Sequence, residues 1–388
     1  MRHWQEFKSE LEDLKKKGLY RELSEINDSS PPLLKIGRRR LINFSSNNYL
    51  ALAKHPQVKK EIFKAASFWG AGSGASRLLS GNLKIHESLE KALAEFKREE
   101  AATLFSSGYL AGLGAVTALL NEKDLVLVDR LNHASLIDAA RLSRAKLWVY
   151  PHRDVSRLDR LLGRSMSFRR KLVVTDAYFS MDGDVAPLDA LLQVCRRHGA
   201  MLMADEAHST GVFGAGGRGL TEYFGVEGQL DVVMGTLSKA LGSVGGFIAG
   251  KAVLKDLLVN RCRPFIYTTA PSPVASAAAL RSLHLADERP ELRRRLWSNV
   301  YFLRDRLKAL GFNMMDSEGP IIPLLIKKAG KSLEIRDYLL NEGVFAPAIR
   351  PPTVPQGAER IRISVTAAHR KQELERLVQL LKKVRSLF

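Results

Sequence analysis

The sequence predicts an α/β protein with a mostly parallel central sheet flanked by helices, followed by a smaller α+β C-terminal domain. Between residues 100 and 250, short apolar runs alternate with helical segments, which is typical of a parallel sheet covered on both faces. Polar residues directly follow several of these runs, where an open α/β sheet places its ligand crevice. After residue 285 the chain changes to long charged helices with a few strands, so a second domain is predicted to begin there.

The first 45 residues are predicted to form an N-terminal arm. Residues 1–30 predict a helix that Pro31-Pro32 ends, because apolar side chains recur at helical spacing in its first half: Trp4, Phe7, Leu11 and Leu14. Residues 34–44 then predict a small hairpin.

Residues 46–285 are predicted to form a large domain. A helix near 56–68 and a glycine-rich loop at 70–82 precede a helix whose apolar face includes Leu89 and Phe96. The strands of the sheet are predicted at seven apolar runs: AATLF, LVLVD, KLWVY, LVVTDAYF, MLMAD, VVM and GFIAG. Helices are predicted between them at 108–120, 134–144 and 187–198. Residues 286–388 form the smaller domain, with strands predicted at 321–326, 344–349 and 360–366.

The chain is strongly basic, with 60 lysines and arginines against 41 acidic residues and a net charge of +19. Such an excess attracts anionic partners, such as an acidic cofactor, a nucleotide thioester or an acidic carrier protein. No dense basic tract interleaved with aromatic residues indicates nucleic-acid binding, and the two cysteines have no metal-ligand spacing. No apolar run reaches the ~18 residues of a membrane span, and the charged N-terminus lacks a secretory signal. We therefore expect a cytoplasmic protein that binds neither nucleic acid, membrane nor metal.

The most informative stretch is residues 231–250, DVVMGTLSKALGSVGGFIAG. Lys239 lies there between a predicted buried strand and flexible glycines, and the hydroxyls of Thr236 and Ser238 precede it. Burial disfavours the charged form of a lysine, and a neutral amine is the form that condenses with a carbonyl. The neighbouring hydroxyls suit a phosphate. The stretch thus suggests a Schiff-base lysine for pyridoxal 5′-phosphate, although alone it also fits a solvated loop lysine.

Two further groups follow predicted strands and suit the same cofactor. Ser106-Ser107-Gly108-Tyr109 opens a helix whose N-terminal amides suit a phosphate, although a plain turn fits equally well. Asp205 closes the run MLMAD and suits a protonated pyridine nitrogen, while His208 suits the phenolic oxygen of the same ring. The Asp-x-x-His spacing also fits a metal pair or a helix cap.

Two more residues suit a flat ring and a carboxylate. His133 follows the run LVLVD, where an imidazole can stack on a ring, although a lone histidine is more often structural. Arg350 is followed by prolines in AIRPPTVP, and such a stiffened arginine suits bidentate binding of a carboxylate. Many arginines of this kind are only surface residues.

These residues lie in segments that resemble the α-oxoamine synthase family of fold-type-I pyridoxal-phosphate enzymes. The matching segments follow the family's order from about residue 43 to 369: NFSSNNYL, GSGASRLLSG, DRLNHASLIDAA, FSMDGDVAPLDAL, DEAHSTGVFGAGGRG, GTLSKALGSVGG and AIRPPTVPQGAERIRISVTAAH. The chain departs from the family at Asn48-Tyr49-Leu50-Ala51, where members often have Asp-Tyr-Leu-Gly. That departure concerns loop packing and no catalytic role. The resemblance implies the type I fold of PLP-dependent transferases.

The resemblance implies a role for each matching residue. Lys239 would bind the cofactor as a Schiff base, and His133 would stack on its ring and help orient the substrate. Asp205 would pair with the pyridine nitrogen and His208 with the phenolic oxygen. Ser180 would lie beside the ring. The phosphate would be held by Gly108, Tyr109, Thr236 and Ser238 and, across a subunit boundary, by Thr268 and Thr269. The substrates would contact Arg350 through the amino-acid carboxylate, Arg21 and Thr353 through the acyl group, and Asn47 and Ser76 along the cleft.

The implied reaction is the decarboxylative condensation of L-alanine with pimeloyl-CoA or a pimeloyl-carrier protein, a step of biotin synthesis that releases CO2 and the thiol. The segments AIRPPTVP and DRLNHASL favour this alanine-using branch. The nearest alternative is a glycine-using member, such as glycine C-acetyltransferase or 5-aminolevulinate synthase. A serine-using member that takes a long-chain acyl group is less favoured. A basic binding protein with a degenerate cofactor fold is the alternative from another class. The resemblance also implies a homodimer with shared active sites.

Overall fold

The computed structural model describes residues 2–17 and 19–388; Met1 and Gly18 of the predicted arm lie outside the described residues. Its helices are α1 (Arg2–Lys16), α2 (Pro56–Trp69), α3 (Lys84–Lys97), α4 (Gly108–Leu119), α5 (Ala134–Leu142), α6 (Val155–Gly163), α7 (Leu188–Arg197), α8 (Leu220–Tyr223), α9 (Ala252–Arg261), α10 (Arg263–Ile266), α11 (Pro273–Glu288), α12 (Pro290–Ala309), α13 (Ala329–Asn341) and α14 (Lys371–Lys383). Its strands are β1 (Asp28–Ser30), β2 (Leu33–Ile36), β3 (Arg39–Asn43), β4 (Ala101–Phe105), β5 (Leu125–Asp129), β6 (Lys146–Tyr150), β7 (Lys171–Asp176), β8 (Met201–Asp205), β9 (Val232–Thr236), β10 (Gly246–Gly250), β11 (Ile321–Leu325), β12 (Val344–Phe345), β13 (Ala348–Ile349) and β14 (Arg360–Ser364).

The central sheet has seven strands in the order β4-β10-β9-β8-β7-β5-β6. Parallel pairing joins β6, β5, β7, β8 and β9, whereas β10 is antiparallel to both β9 and β4. The prediction of a mostly parallel sheet is confirmed, and all seven apolar runs form its strands. Because parallel strands end at the same edge, the polar residues after β5, β7, β8 and β9 meet there.

Helices pack on this sheet because its inner strands are apolar on both faces. Every residue of β5, β9 and β10 is buried, as a covered parallel sheet requires. Helix α4 lies against β9 and β10, while α5 lies against β5 and α7 against β8. The sequence of α4, GYLAGLGAVTAL, contains no charged residue, which explains why most of its residues are buried.

The chain divides into two compact units. The large unit, Asn47–Ser298, contains the seven-stranded sheet. The second unit joins the described residues up to Ser46 with Asn299–Phe388. The arm belongs with the C-terminal residues because β3 pairs in parallel with β12. The second unit contains two small sheets, β1-β2-β3-β12 and β11-β14-β13. This division puts the second boundary at Ser298, later than the predicted limit at residue 285.

Two predicted elements of the second unit differ from the structure. The strand predicted at 344–349 is two short strands in different sheets, since β12 pairs with β3 and β13 with β14. The predicted N-terminal helix ends at Lys16 rather than at Pro31-Pro32, because the amides of Leu19 and Tyr20 bond to the carbonyl of Leu14 and close its end. Within the described part of the chain, no helix combines the length and apolar character needed to cross a membrane.

Candidate active site

Lys239 lies in the turn that joins β9 to β10. The turn is fixed by two backbone bonds, from Gly242 N–H to the Lys239 carbonyl at 2.9 Å and from Ser243 N–H to the Leu237 carbonyl at 2.8 Å. Although β9 is buried throughout, Lys239 itself is half-buried. The structure therefore holds this amine at the carboxyl edge of the sheet, on the border between the core and solvent.

Asp205 and Asp176 end the neighbouring parallel strands β8 and β7, where they are register partners. Each is 5% exposed. Oδ1 of Asp205 accepts the Ala207 N–H at 2.8 Å, and no donor among the described residues bonds to its Oδ2. Burial raises the pKa of Asp205, and the charge of Lys239 opposes that rise. A buried carboxyl with one oxygen available suits a cationic ring nitrogen.

His133 begins α5 as its N-cap residue. Its Nδ1 accepts the Ser135 N–H at 3.3 Å, so the neutral ring carries its proton on Nε2 and can donate from there. Its own backbone N–H donates to Oδ2 of Asp176 at 2.6 Å. Partial burial lowers the pKa of His133; Asp205 opposes this effect and Lys239 adds to it. The ring is thus a neutral hydrogen-bond donor that still reaches solvent.

His208 lies in the turn after β8 and is 7% exposed. Its Nδ1 is 2.8 Å from the hydroxyl of Tyr49, which is fully buried. The ring of Tyr178 meets it edge-on, with the centroids 6.4 Å apart. The Tyr49 hydroxyl also lies 3.4 Å from Oδ1 of Asn47, so the structure brings two predicted site residues to the same tyrosine.

The N-terminus of α4 forms an anion-binding cradle with the end of β9. Oγ of Ser107 accepts the Leu110 N–H at 3.2 Å, which leaves the amides of Gly108 and Tyr109 without partners in the described helix. A Cβ at Gly108 would lie 3.4 Å from Cβ of Thr236, so that hydroxyl is beside the helix start. Oγ1 of Thr236 is in turn 2.8 Å from Oγ of Ser238. Amides, hydroxyls and a positive helix end together suit a phosphate.

The cradle requires a glycine on the next strand. A Cβ at Gly246 would lie 2.6 Å from Cα of Gly108, closer than real side chains come. Gly246 therefore lets β10 pass directly beneath the start of α4, which explains part of the glycine-rich sequence after Lys239.

Ser180 lies in a turn closed by the bond from Gly183 N–H to the Phe179 carbonyl at 2.8 Å. The turn is anchored by His152, which bonds to Asp184 at 2.8 Å and to Asp129, at the end of β5, at 2.9 Å. Burial alone would lower the pKa of His152, but the bonds to these two carboxylates raise it to about 9. A protonated histidine thus ties the Ser180 turn to the sheet.

Ser76, Thr268 and Thr269 lie together on the large unit. Ser76 and Thr269 form an isolated β-bridge, and the two threonines line a small cleft that also includes Ser106. Thr269 is exposed and Thr268 is half-buried. The structure therefore presents both hydroxyls at an accessible edge of this unit.

In the second unit, Arg21 donates from Nη2 to Oγ1 of Thr353 at 3.0 Å. Thr353 N–H bonds to the carbonyl of Arg350 at the same distance, 3.0 Å, within the turn that follows β13. Burial lowers the pKa of Arg350, and the charges of Arg336 and Arg21 act in the same direction. Three guanidinium groups so close together suit anionic groups such as carboxylates.

Sequence reasoning missed three residues that hold this site. Asp176 follows the run LVVT just as Asp205 follows MLMA, so the signal was available. Tyr49 lies in the segment NFSSNNYL, but nothing in that segment predicts a bond to His208. The His152 bonds join the end of β5 to the turn that carries Ser180, and no local pattern indicates them.

The large unit meets the chemical needs of pyridoxal 5′-phosphate. Lys239 influences the pKa values of Asp205, Asp176 and His133, so an amine, two carboxyls and an imidazole share one electrostatic environment. The phosphate cradle provides amide and hydroxyl donors, and Oδ2 of Asp205 is available for a protonated ring nitrogen. The described residues of this site therefore fit the cofactor.

Comparison with known proteins agrees with this geometry. The family model of class I and II aminotransferases matches residues 39–381. An 8-amino-7-oxononanoate synthase of Thermoanaerobacter pseudethanolicus is 44% identical over 97% of this chain and 96% of its own length. One from Symbiobacterium thermophilum is 45% identical over 97% of this chain and 96% of its own.

Solved structures show the same fold. A serine palmitoyltransferase of S. paucimobilis, with a bound PLP–myriocin aldimine, superposes with a TM-score of 0.92 at 32% identity, covering 100% of this chain and 98% of that one. The 8-amino-7-oxononanoate synthase of Francisella tularensis superposes with a TM-score of 0.78 at 26% identity, covering 89% and 98%. The chain therefore belongs to the class I and II aminotransferase family, with the type I fold of PLP-dependent transferases, and within it to the 8-amino-7-oxononanoate synthases.

Proposed function

We propose that the chain condenses L-alanine with a pimeloyl thioester to give 8-amino-7-oxononanoate, CO2 and the free thiol. The observation that carries this proposal is that Lys239 and the buried carboxyl of Asp205 follow or end adjacent strands at one edge of the sheet. The chain is also 44% identical over 97% of its length to a named synthase. Biotin synthesis is the corresponding pathway.

When bound, pyridoxal 5′-phosphate accepts the electron pair left on an amino acid's α-carbon after a proton or CO2 departs. Lys239 would hold the aldehyde carbon, and Asp205 would keep the ring nitrogen protonated. Gly108, Tyr109, Thr236 and Ser238 would hold the phosphate, and His208 and Ser180 would contact the ring. Thr268 and Thr269 would reach the phosphate of a second copy of the chain, which makes the proposed active form a homodimer.

The reaction then depends on two proton-bearing side chains. With L-alanine bound, the freed amine of Lys239 would serve as the base that removes the α-proton. The Nε2–H of His133 would donate to the thioester oxygen as negative charge develops there. A donor already fixed by its own Nδ1 bond needs no reorganisation during that step.

The substrates are assigned to the cationic residues of the second unit. Arg350 would hold the alanine carboxylate, and Arg21 with Thr353 would contact the pimeloyl group, whose far end is itself a carboxylate. Asn47 and Ser76 would line the cleft. The net charge of +19 suits a thioester of CoA and one of an acidic carrier protein equally well. We place the reaction in the cytoplasm.

One observation favours a second candidate. The serine palmitoyltransferase structure is 32% identical to this chain, more than the 26% of the Francisella synthase structure. The relatives named 8-amino-7-oxononanoate synthase reach 44–45%, which favours alanine over serine. Glycine-using condensation with a short acyl thioester is the other alternative.

The test is thiol release by purified protein loaded with cofactor. Pimeloyl-CoA is supplied with L-alanine, glycine or L-serine in parallel, and the amino ketone is identified by mass. We expect release with alanine well above the other two. Two further reactions pair glycine with acetyl-CoA and L-serine with palmitoyl-CoA, and turnover in only one of these would move the chain to that branch. Lys239→Ala is the control for background hydrolysis.

A further inference from the structure

Asp176 connects His133 to the end of a central strand. Its Oδ2 accepts the backbone N–H of His133 at 2.6 Å, and its own N–H donates to Oδ1 of Asn132 at 3.0 Å. Nδ2 of Asn132 donates back to the carbonyl of Val174, on the same strand as Asp176, at 2.8 Å. Three bonds therefore join the Asn132-His133 pair to β7, and we call Asp176 and Asn132 the β7 clasp.

The clasp is buried although the histidine that it holds is exposed. Asp176 is 5% and Asn132 is 8% exposed. In the described part of the chain, the imidazole of His133 packs against no aromatic ring, and its hydrogen bonds are to Ser135. Within α5 the ring is oriented by Ser135 and the His133 carbonyl accepts the Leu136 N–H at 2.9 Å. The clasp is what joins this helix start to the sheet, so the position of the ring relative to β7 depends on it.

We propose that Asp176 is a positioning residue that acts through His133, fixing by its Oδ2 bond where that ring meets the cofactor. This inference rests on the proposed function, in which His133 stacks on the cofactor and donates to the substrate. A misplacement of about 1 Å at such a donor costs up to about 100-fold in rate. Asp176 itself touches neither substrate nor cofactor in this assignment.

The electrostatic setting of Asp176 disfavours its charged form. Burial and the neighbouring carboxyl of Asp205 raise the pKa of Asp176 well above its usual range, against the opposing effects of the His133 N–H and Lys239. A neutral carboxyl can still accept the His133 N–H, and it adds no second negative charge beside Asp205. Asparagine at this position preserves an acceptor oxygen of the same reach and carries no charge, so it is the matched conservative variant.

The test is a double-mutant cycle on cofactor affinity. The variants are Asp176→Ala, His133→Ala and the double variant, and the readout is the dissociation constant of pyridoxal 5′-phosphate from the full-length protein without substrates. We expect each single variant to weaken binding about tenfold, and the double variant to match His133→Ala within about twofold, because coupled residues are not additive. Asp176→Asn should bind the cofactor nearly as tightly as the unmodified chain. The kcat for thiol release should fall with Asp176→Ala and recover with Asp176→Asn.

The inference is wrong if the two single effects multiply in the double variant, or if Asp176→Asn binds as weakly as Asp176→Ala. Should Asp176→Ala not fold, Asp176→Glu replaces it in the cycle, because its longer side chain keeps a carboxyl but displaces it from the His133 amide. Asp231→Ala is the control. The carboxylate of Asp231 also accepts a backbone N–H, that of Leu202 at 2.8 Å, but it lies before the start of β9, at the other end of the strand from the site. Its removal should leave the affinity for the cofactor unchanged. The affinity measurement contains no amino acid or thioester, so it tests the inference even if the proposed substrates prove wrong.

Discussion

At the residue scale, replacing Lys239 is expected to reduce activity more than any other substitution. Lys239→Ala should still bind the cofactor, since the phosphate cradle and Asp205 remain, but without a covalent link. After borohydride reduction, the mass of the unmodified chain should increase by the reduced cofactor, whereas that of the variant should not. Thiol release should fall at least 1,000-fold, because the variant lacks the base for the α-proton. Turnover near the unmodified rate would disprove the assignment.

Asp205 should control how readily the α-proton leaves. Asp205→Ala removes the buried carboxyl that keeps the ring nitrogen protonated, a charged hydrogen bond of about 1.5–3 kcal/mol. Exchange of the alanine α-proton with deuterated solvent, followed by NMR, should slow about 10- to 100-fold. The control is Asp231→Ala, whose carboxyl lies before β9 rather than at the carboxyl edge. Unchanged exchange in Asp205→Ala would contradict the role given to it.

At the scale of elements, His152 ties the Ser180 turn to the end of β5 through its charge. Its folded-state pKa of about 9 lies above the usual value of about 6.5. The stabilisation is therefore complete below pH 6.5 and is lost as the pH rises to about 9. His152→Gln should lower the melting temperature most at pH 6.5, and the difference from the unmodified chain should shrink towards pH 9.5. The exposed His284→Gln should show no such trend; an equal loss at both pH values would show that the charge of His152 is unimportant.

Helix α3 is joined to the site by a buried ion pair. Lys97 and Glu206 are both fully enclosed, Lys97 also bonds to the carbonyl of Arg218, and Glu206 accepts the Thr221 N–H at 2.7 Å. Lys97→Met leaves the Glu206 charge unpaired in the core, which should cost about 3–5 kcal/mol of unfolding free energy. On the same helix, Lys91 makes only an exposed pair with Glu95. Lys91→Met should change stability by less than about 1 kcal/mol in the same urea titration; equal losses would contradict this explanation.

The elements that the sequence predicts well are those with a local signal. The seven strands of the sheet are apolar runs between helices, and their ends place Asp205, His133 and Lys239 correctly at one edge. The split of 344–349 into β12 and β13 was not predictable, because it depends on pairing with β3 and β14. The bonds of Asp176 to His133 and of His152 to Asp129 were missed for the same reason: they join residues that are distant in sequence.

At the scale of the whole molecule, the proposed homodimer would cover apolar side chains that the single chain exposes. Phe68, at the end of α2, is 77% exposed, and Leu79, in the glycine-rich loop that carries Ser76, is 79% exposed. Leu79→Glu should shift the chain from dimer to monomer in sedimentation velocity and reduce thiol release, because Thr268 and Thr269 would no longer reach a second site. Met166, 76% exposed elsewhere on the large unit, provides the control Met166→Glu. A Leu79→Glu monomer with full activity would contradict the shared site.

The central claim is a decarboxylative condensation, and the most direct test is its carbon balance. The loaded protein is given pimeloyl-CoA and L-alanine labelled at the carboxyl carbon, and labelled CO2 and free thiol are measured together over time. The account predicts one labelled CO2 for each thiol, with no CO2 when either substrate is omitted. Thiol release without labelled CO2, or CO2 release without the thioester, would contradict it.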